Sequence, residues 1–156
     1  MPITHRPYAP GDLEFLFKLY ASTRLHEISG WGWSHEQQEM FLRMQFNARQ
    51  RWYEEAYERA DHQLILLDGE PIGRILVLHQ QAANTLVDIA LLAEHRNLGI
   101  GTRFVGELIS LSNQQGVPVR LQVAKANPAA FRLYQRLGFV ETGTDDMYFQ
   151  MERACQ

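Results

Sequence analysis

The sequence of 156 residues is most informative at first for what it does not contain. Its single cysteine, Cys155, rules out an intramolecular disulfide. No apolar run approaches the ~18 residues of a membrane span, so no membrane segment is expected. Neither sign of charge prevails: 15 Lys and Arg against 18 Asp and Glu leave −3, without the basic stripe a nucleic-acid binder needs. The six histidines, His5, His26, His35, His62, His79 and His95, are scattered without ligand spacing, and no metal is expected. Met1 to Pro10 lacks a charged segment followed by an apolar one, so it does not read as a signal peptide. Repeats, linkers and low-complexity segments are missing too. What is left, 46% hydrophobic and 21% charged, is the composition of an ordinary globular protein. One domain over residues 1–156, soluble, cytoplasmic and metal-free, is the expectation.

One stretch organises the rest. Thr85 to Ala93 alternates Val87, Ile89 and Leu91 with Asp88, Ala90 and Leu92, the period of a strand. It runs into Glu94-His95-Arg96-Asn97-Leu98-Gly99-Ile100-Gly101-Thr102, after which Phe104, Val105, Leu108, Ile109 and Leu111 recur at helical spacing to about Gln115. A helix therefore starts near Gly99. Its first amides have no internal partner and point outward at the positive end of the helix dipole. Gly99 and Gly101 let a ligand come close to the backbone, and Arg96 adds a positive charge. Together these make a phosphate site, most naturally one for a pyrophosphate.

Two common phosphate binders do not fit. A Walker loop needs a Lys after its second glycine, and none follows Gly99 or Gly101. A dinucleotide fingerprint needs a third glycine where this chain has Phe104, and an acidic residue near Arg120 to Val123, where there is none. What matches is Arg96-x-x-Gly99-x-Gly101 after the Asp88–Ala93 strand, followed by Asn127-Pro128 and by Leu133-Tyr134-x-x-Leu137-Gly138-Phe139. In these motifs the chain resembles the GCN5-related N-acetyltransferase (GNAT) family. The likeness is close from Asp88 to Phe139 and extends to the rest by the order of elements.

That order is β-α-α-β-β-β-α-β-α-β-β, an α/β fold with a mixed, mostly antiparallel sheet flanked by helices. Ile3 to Tyr8 is the first strand. Asp12 caps a helix with Leu13, Leu16, Phe17 and Tyr20 on its apolar face. Ser34-x-x-Gln37 is a capping box that opens a longer helical region. Its stripes, Met40-Phe41-Met44-Ala48 and Tyr53-Ala56-Tyr57-Ala60, do not line up, which predicts a bend or break between Asn47 and Arg51. Trp31 and Trp33, in a glycine-flanked loop, either cover the core or wall an acceptor pocket. Gln63–Leu67 and Ile72–Leu78 pair across Asp68-Gly69. Val119–Ala124 is a strand, Asn127-Pro128 starts a helix to Leu137, and Phe139–Thr142 with Met147–Glu152 forms a last hairpin.

The resemblance implies a chemistry. Acetyl-CoA would be the cosubstrate and a primary amine, small or peptide-borne, the acceptor. Arg96, Asn97, Leu98, Gly99, Ile100, Gly101 and Thr102 would hold the pyrophosphate. Leu91, Leu92 and Ala93 would meet the pantetheine arm through the backbone; the family has proline where this chain has Ala93. Asn127 would cap its helix and also bond the arm. Tyr134 would protonate the departing thiolate, since a phenol near pKa 10 lies within about two units of a thiol near 8.5. A lysine-like acceptor must first lose a proton, which costs roughly 4–5 kcal/mol at pH 7. Asp88 is the first candidate base and Glu27, in the loop that roofs the acceptor in this family, the second. Dimers are common in similar enzymes, so a homodimer is suggested. A non-catalytic acyl-CoA-binding module and a nucleotide-binding domain are the competing readings.

Overall fold

A computed structural model describes residues 2–156. The chain runs β1 (Ile3–Pro7), α1 (Leu13–Ile28), α2 (His35–Ala56), β2 (Asp61–Leu67), β3 (Glu70–His79) and β4 (Asn84–Leu91). It continues through α3 (Ile100–Gln115), β5 (Val119–Ala124), α4 (Pro128–Arg136), β6 (Val140–Thr144) and β7 (Tyr148–Arg153). The expected order of elements is all there. The strands lie in the order β1-β2-β3-β4-β5-β7-β6. β1 with β2, β5 with β7 and β6 with β7 are antiparallel, and β4 with β5 is parallel. The sheet is mixed and mostly antiparallel, as the sequence predicts.

Two compact units can be distinguished. The first takes in the chain through Arg74 together with Ala90–Arg96. Its core joins Leu16, Phe17 and Ile28 of α1 to Leu42 and Phe46 of α2 and Leu64 and Leu66 of β2. Phe17 and Phe46 meet edge to face at 5.6 Å, a favoured aromatic geometry. α2 starts on the capping box: Ser34 Oγ accepts from Gln37 N, and Gln37 Oε1 accepts from Ser34 N.

Two sequence expectations change here, and one apolar row lies mostly outside the core. α2 is unbroken to Ala56, because Asn47 to Arg51 contains no glycine or proline and the Arg49 guanidinium clips onto the Tyr53 hydroxyl one turn on, at 2.6 and 3.0 Å. The stripe Met40-Phe41-Met44-Ala48 is not the buried face; Leu42 and Phe46 on the other side of the helix enter the core, and Phe41 packs at its margin. Asp12 stands at the N-cap of α1 without a side-chain cap bond. Its carboxylate instead takes a bidentate pair from Arg6 at 2.9 Å each and the Ala9 amide, and charge-assisted bonds of that kind outweigh a single neutral cap.

The second unit comprises Ile75–Ile89 and Asn97–Gln156. α3 buries Ile100, Phe104, Val105, Leu108 and Ser112; of the row read from the sequence, Phe104, Val105 and Leu108 enter the core, while Ile109 is half-buried and Leu111 is 38% exposed. β5 buries Val119, Leu121 and Val123. A buried polar link ties strand to helix: Asn84 donates to Ser112 Oγ and Gln115 Oε1 at 2.8 Å, and Ser112 donates to Leu108 O. Satisfied on every side, such a network fixes one register for the start of β4 against α3.

Candidate functional site

β4 begins as a partner of β5 and then leaves it. The parallel ladder covers Asn84–Val119, Thr85–Arg120 and Leu86–Leu121 and stops, although β4 goes on to Leu91 and β5 to Ala124. From Gln122 to Ala124, β5 is laddered to β7. Over the same span β4 loses its alternation, and Val87, Asp88 and Ile89 are all half-buried. Two stretches of strand backbone inside a sheet are therefore not laddered to each other. Strand backbone demands hydrogen-bond partners, so an extended, amide-bearing ligand suits the opening.

The end of β4 is seated on a glycine the sequence reading passed over. A Cβ on Gly73 would collide with Ala90 O and lie 2.7 Å from Leu91 Cδ2. Ile72 O accepts the Leu92 amide at 2.8 Å. The signal was available, because a glycine inside an apolar strand marks close backbone approach.

Leu91 and Leu92 are buried, and the loop uses several of their backbone groups itself. Arg96 Nε donates to Leu91 O at 2.9 Å, His95 N to Leu92 O, and Arg96 N to Ala93 O. Arg96 thus braces the strand end besides carrying surface charge. Asn97 and Gly99 have φ of 61° and 82°, the left-handed turn that lets α3 begin at Ile100. Arg103 N makes the first helical bond, to Gly99 O, which leaves the amides of Ile100, Gly101 and Thr102 without a helical acceptor. Ile100 is buried and anchors the turn, while Leu98, Gly99 and Thr102 are exposed. A Cβ on Gly101 would meet nothing within 4 Å, and its φ is not left-handed. Neither conformation nor packing within the chain calls for glycine there.

Tyr134, on α4, is 8% exposed and packs against Phe139 at 5.7 Å. Burial first, then the negative charge of Asp88, pushes its phenol up to about 12. The structure thereby brings two of the three catalytic candidates into one electrostatic neighbourhood. The distance from the thiol range is wider than the sequence suggested, about 3–4 units. The phenol stays protonated across working pH and is a hydrogen-bond donor throughout. Asn127 caps α4 as predicted, its Oδ1 accepting from Ala130 N at 3.2 Å.

Glu27 lies in the last turn of α1, not in a loop, and pairs with Arg24 at 3.5 Å on the surface. Trp31 and Trp33 flank Gly32, whose φ is 74°. Their rings meet each other at 5.0 Å and Phe41 at 5.7 and 5.2 Å. Both remain exposed, so covering the core is not their main work. Among the described residues no group of three or more His, Cys, Asp or Glu is placed to hold a metal ion, and no helix is long and apolar enough to cross a membrane.

A parallel pair of strands whose ladder stops at Leu86–Leu121, a glycine-bearing turn into a helix and a buried tyrosine on the next helix make up the candidate site. A model of the acetyltransferase (GNAT) family matches residues 19–139. The chain belongs to that family and is an acetyl-CoA-dependent N-acetyltransferase. The same fold occurs in the PaiA N-acetyltransferase of Thermoplasma acidophilum, solved in complex with coenzyme A, at 22% identity and TM-score 0.74 over 99% of each chain. A GNAT-family acetyltransferase of Elizabethkingia anophelis with acetyl-CoA bound is similar at 14% identity and TM-score 0.64 over 97% of each chain. The GNAT acetyltransferase of Streptococcus pneumoniae is similar at 20% identity and TM-score 0.62, over 99% of this chain and 100% of that one. No curated protein sequence matches the chain.

Proposed function

We propose that residues 1–156 work as one acyl-CoA N-acyltransferase domain, cytoplasmic and homodimeric, that passes an acetyl group directly from acetyl-CoA to a primary amine. The observation that carries the reading is the β4–β5 ladder ending at Leu86–Leu121, followed by a helix start with open space at Gly101. A pantetheine arm is extended and carries amides, which suits unladdered strand backbone. Asn97 to Thr102 hold the pyrophosphate through the orphan amides, with Arg96 adding charge. Leu91, Leu92 and Ala93 border the arm through whatever backbone capacity the loop leaves, and Asn127 adds a side-chain contact.

In the reaction a neutral amine attacks the thioester carbonyl. The N–C bond forms, the C–S bond breaks, and the Tyr134 phenol gives its proton to the departing sulfur. The proton lost by the amine goes to Asp88 or Glu27, directly or through water. No acyl-enzyme is required, and Cys155 is an exposed residue at the C-terminal end, outside the motif.

The test is a panel of acceptors, comprising small amines, polyamines, amino acids and peptides with free N-termini or lysines, incubated with acetyl-CoA and followed by thiol release. The expected result is release matched one to one by acetylated product for one class. Tight CoA binding without release for every class would replace the enzyme by a binding module.

A further inference from the structure

The outer face of α2 is apolar and uncovered. Met40 and Met44 are 74% and 64% exposed, and Trp52 is 54% exposed, while Leu42 and Phe46 on the inner face are buried. Met40, Met44, Ala48 and Trp52 are spaced four apart, so they form one continuous ridge along the helix. At its N-terminal end the ridge adjoins Phe41, against which Trp31 and Trp33 pack, themselves 51% and 38% exposed. This helix therefore carries two apolar faces, and its own chain covers one. A solvated helix face is ordinarily polar, and a large apolar patch marks an interaction surface.

We infer that this ridge is where a second copy of the chain docks, α2 against α2 across a twofold axis. The inference rests on the homodimer reading above and names its surface. The ridge is self-complementary. An antiparallel pairing centred between Met44 and Ala48 sets each Met44 against the small Ala48 of the other copy and each Met40 against the other Trp52. A twofold contact needs this reciprocity, and two four-spaced ridges interlock in the commonest helix-packing class. The area also fits. Half-exposed side chains of this size present on the order of 100 Å² each. The five exposed ones offer roughly 500–600 Å², and neighbouring polar positions bring the contact toward the ~800 Å² per partner of a stable interface. Methionine adds adaptability, filling irregular gaps at low cost.

Sedimentation velocity across the micromolar range tests it, on the wild type and on Met44→Glu, with circular dichroism and CoA binding measured on both. The expected result is a wild-type dimer whose dissociation constant rises at least ~30-fold in Met44→Glu, the size of a hot-spot loss. Folding and CoA affinity should be unchanged, because Met44 is exposed and far from the 91–102 loop in sequence. In a Cys155→Ser background, Met44→Cys mixed with Ala48→Cys should give an intermolecular disulfide more readily than either alone. A monomeric wild type overturns the homodimer, and this surface with it. A dimer that survives Met44→Glu, or equal cross-linking in the mixture and the separate variants, overturns the surface and leaves the dimer standing.

Discussion

α2 and α3 are both long amphipathic helices, yet they stand differently to their own sequences. In α3 the first three residues of the predicted row, Phe104, Val105 and Leu108, are buried and only its far end, Ile109 and Leu111, is not, while Gly99 and Gly101 sit where the helix begins. In α2 the row most visible in the sequence faces solvent at Met40, Met44 and Ala48, with only Phe41 at the core margin, and Leu42 and Phe46 do the packing. A helix pattern states which face is apolar. It does not state which of two apolar faces the chain covers. The chemistry-bearing motif opens the helix in which pattern and packing agree better.

The sharpest way to break that contrast is to ask whether catalysis depends on α4 and β4 or on the helical arm. Tyr134→Phe should lower kcat by ~10²–10⁴-fold, the range of general acid catalysis, with CoA affinity unchanged. Glu27→Gln, on the exposed end of α1, should lower it far less. Burial holds the phenol at about 12, so the wild-type rate should show no loss from Tyr134 ionisation below pH ~11. Steady-state rates and calorimetric CoA titration decide it. An unchanged kcat in Tyr134→Phe would remove the general acid, and an equal loss in Glu27→Gln would move part of the chemistry into the arm.

Packing gives the next contrast. Leu108→Ala should cost ~2–5 kcal/mol, because it empties a buried site on α3. Met44→Ala should stay within ~0.5 kcal/mol for the monomer. Urea denaturation of dilute protein measures both. A monomer destabilised by Met44→Ala as much as by Leu108→Ala would mean that the outer face of α2 is structural after all.

The fold was legible to the extent that its signals were local. The Asp68-Gly69 turn has both residues at positive φ, as its hairpin requires, and the Ser34–Gln37 box and the Asn127 cap are formed. Each depends on residues within four positions of each other. What depended on distant partners was lost. Asp12 left its cap for Arg6, α2 turned its other face inward, and Gly73 acquired its meaning only from Ala90 and Leu91. The candidate site divides in the same way: the turn at Asn97–Gly101 was readable, while the ladder ending at Leu86 and the raised phenol of Tyr134 needed the tertiary structure.

Two glycines sharpen the point at smaller scale. Gly101→Val should raise the KM for acetyl-CoA about tenfold or more while leaving the melting temperature nearly unchanged, since a side chain there meets nothing in the protein. Gly73→Ala should do the reverse and cost ~1–3 kcal/mol by forcing backbone apart. Thermal melts and acetyl-CoA saturation curves separate the two. An unaltered KM in Gly101→Val would detach the helix start from cosubstrate binding.

The smallest effect tests whether the Arg6 pair, rather than a cap, is what Asp12 contributes. The Arg6 hydrogen bonds and the Ala9 amide hold the Asp12 carboxyl below its usual range. The unfolded chain therefore takes up the proton first as the pH falls. The stabilisation is complete above the ordinary carboxylate value of about 4 and is lost as pH drops through the lower folded value. Arg6 is 42% exposed, so solvent screening limits the contribution to ~1 kcal/mol or less. Asp12→Asn should accordingly be less stable than the wild type by that amount at pH 7, and the gap should close in strong acid. A neutral amide can still accept from the Ala9 amide, so a gap that stays constant with pH would mean that the loss does not come from the carboxylate's charge pair with Arg6.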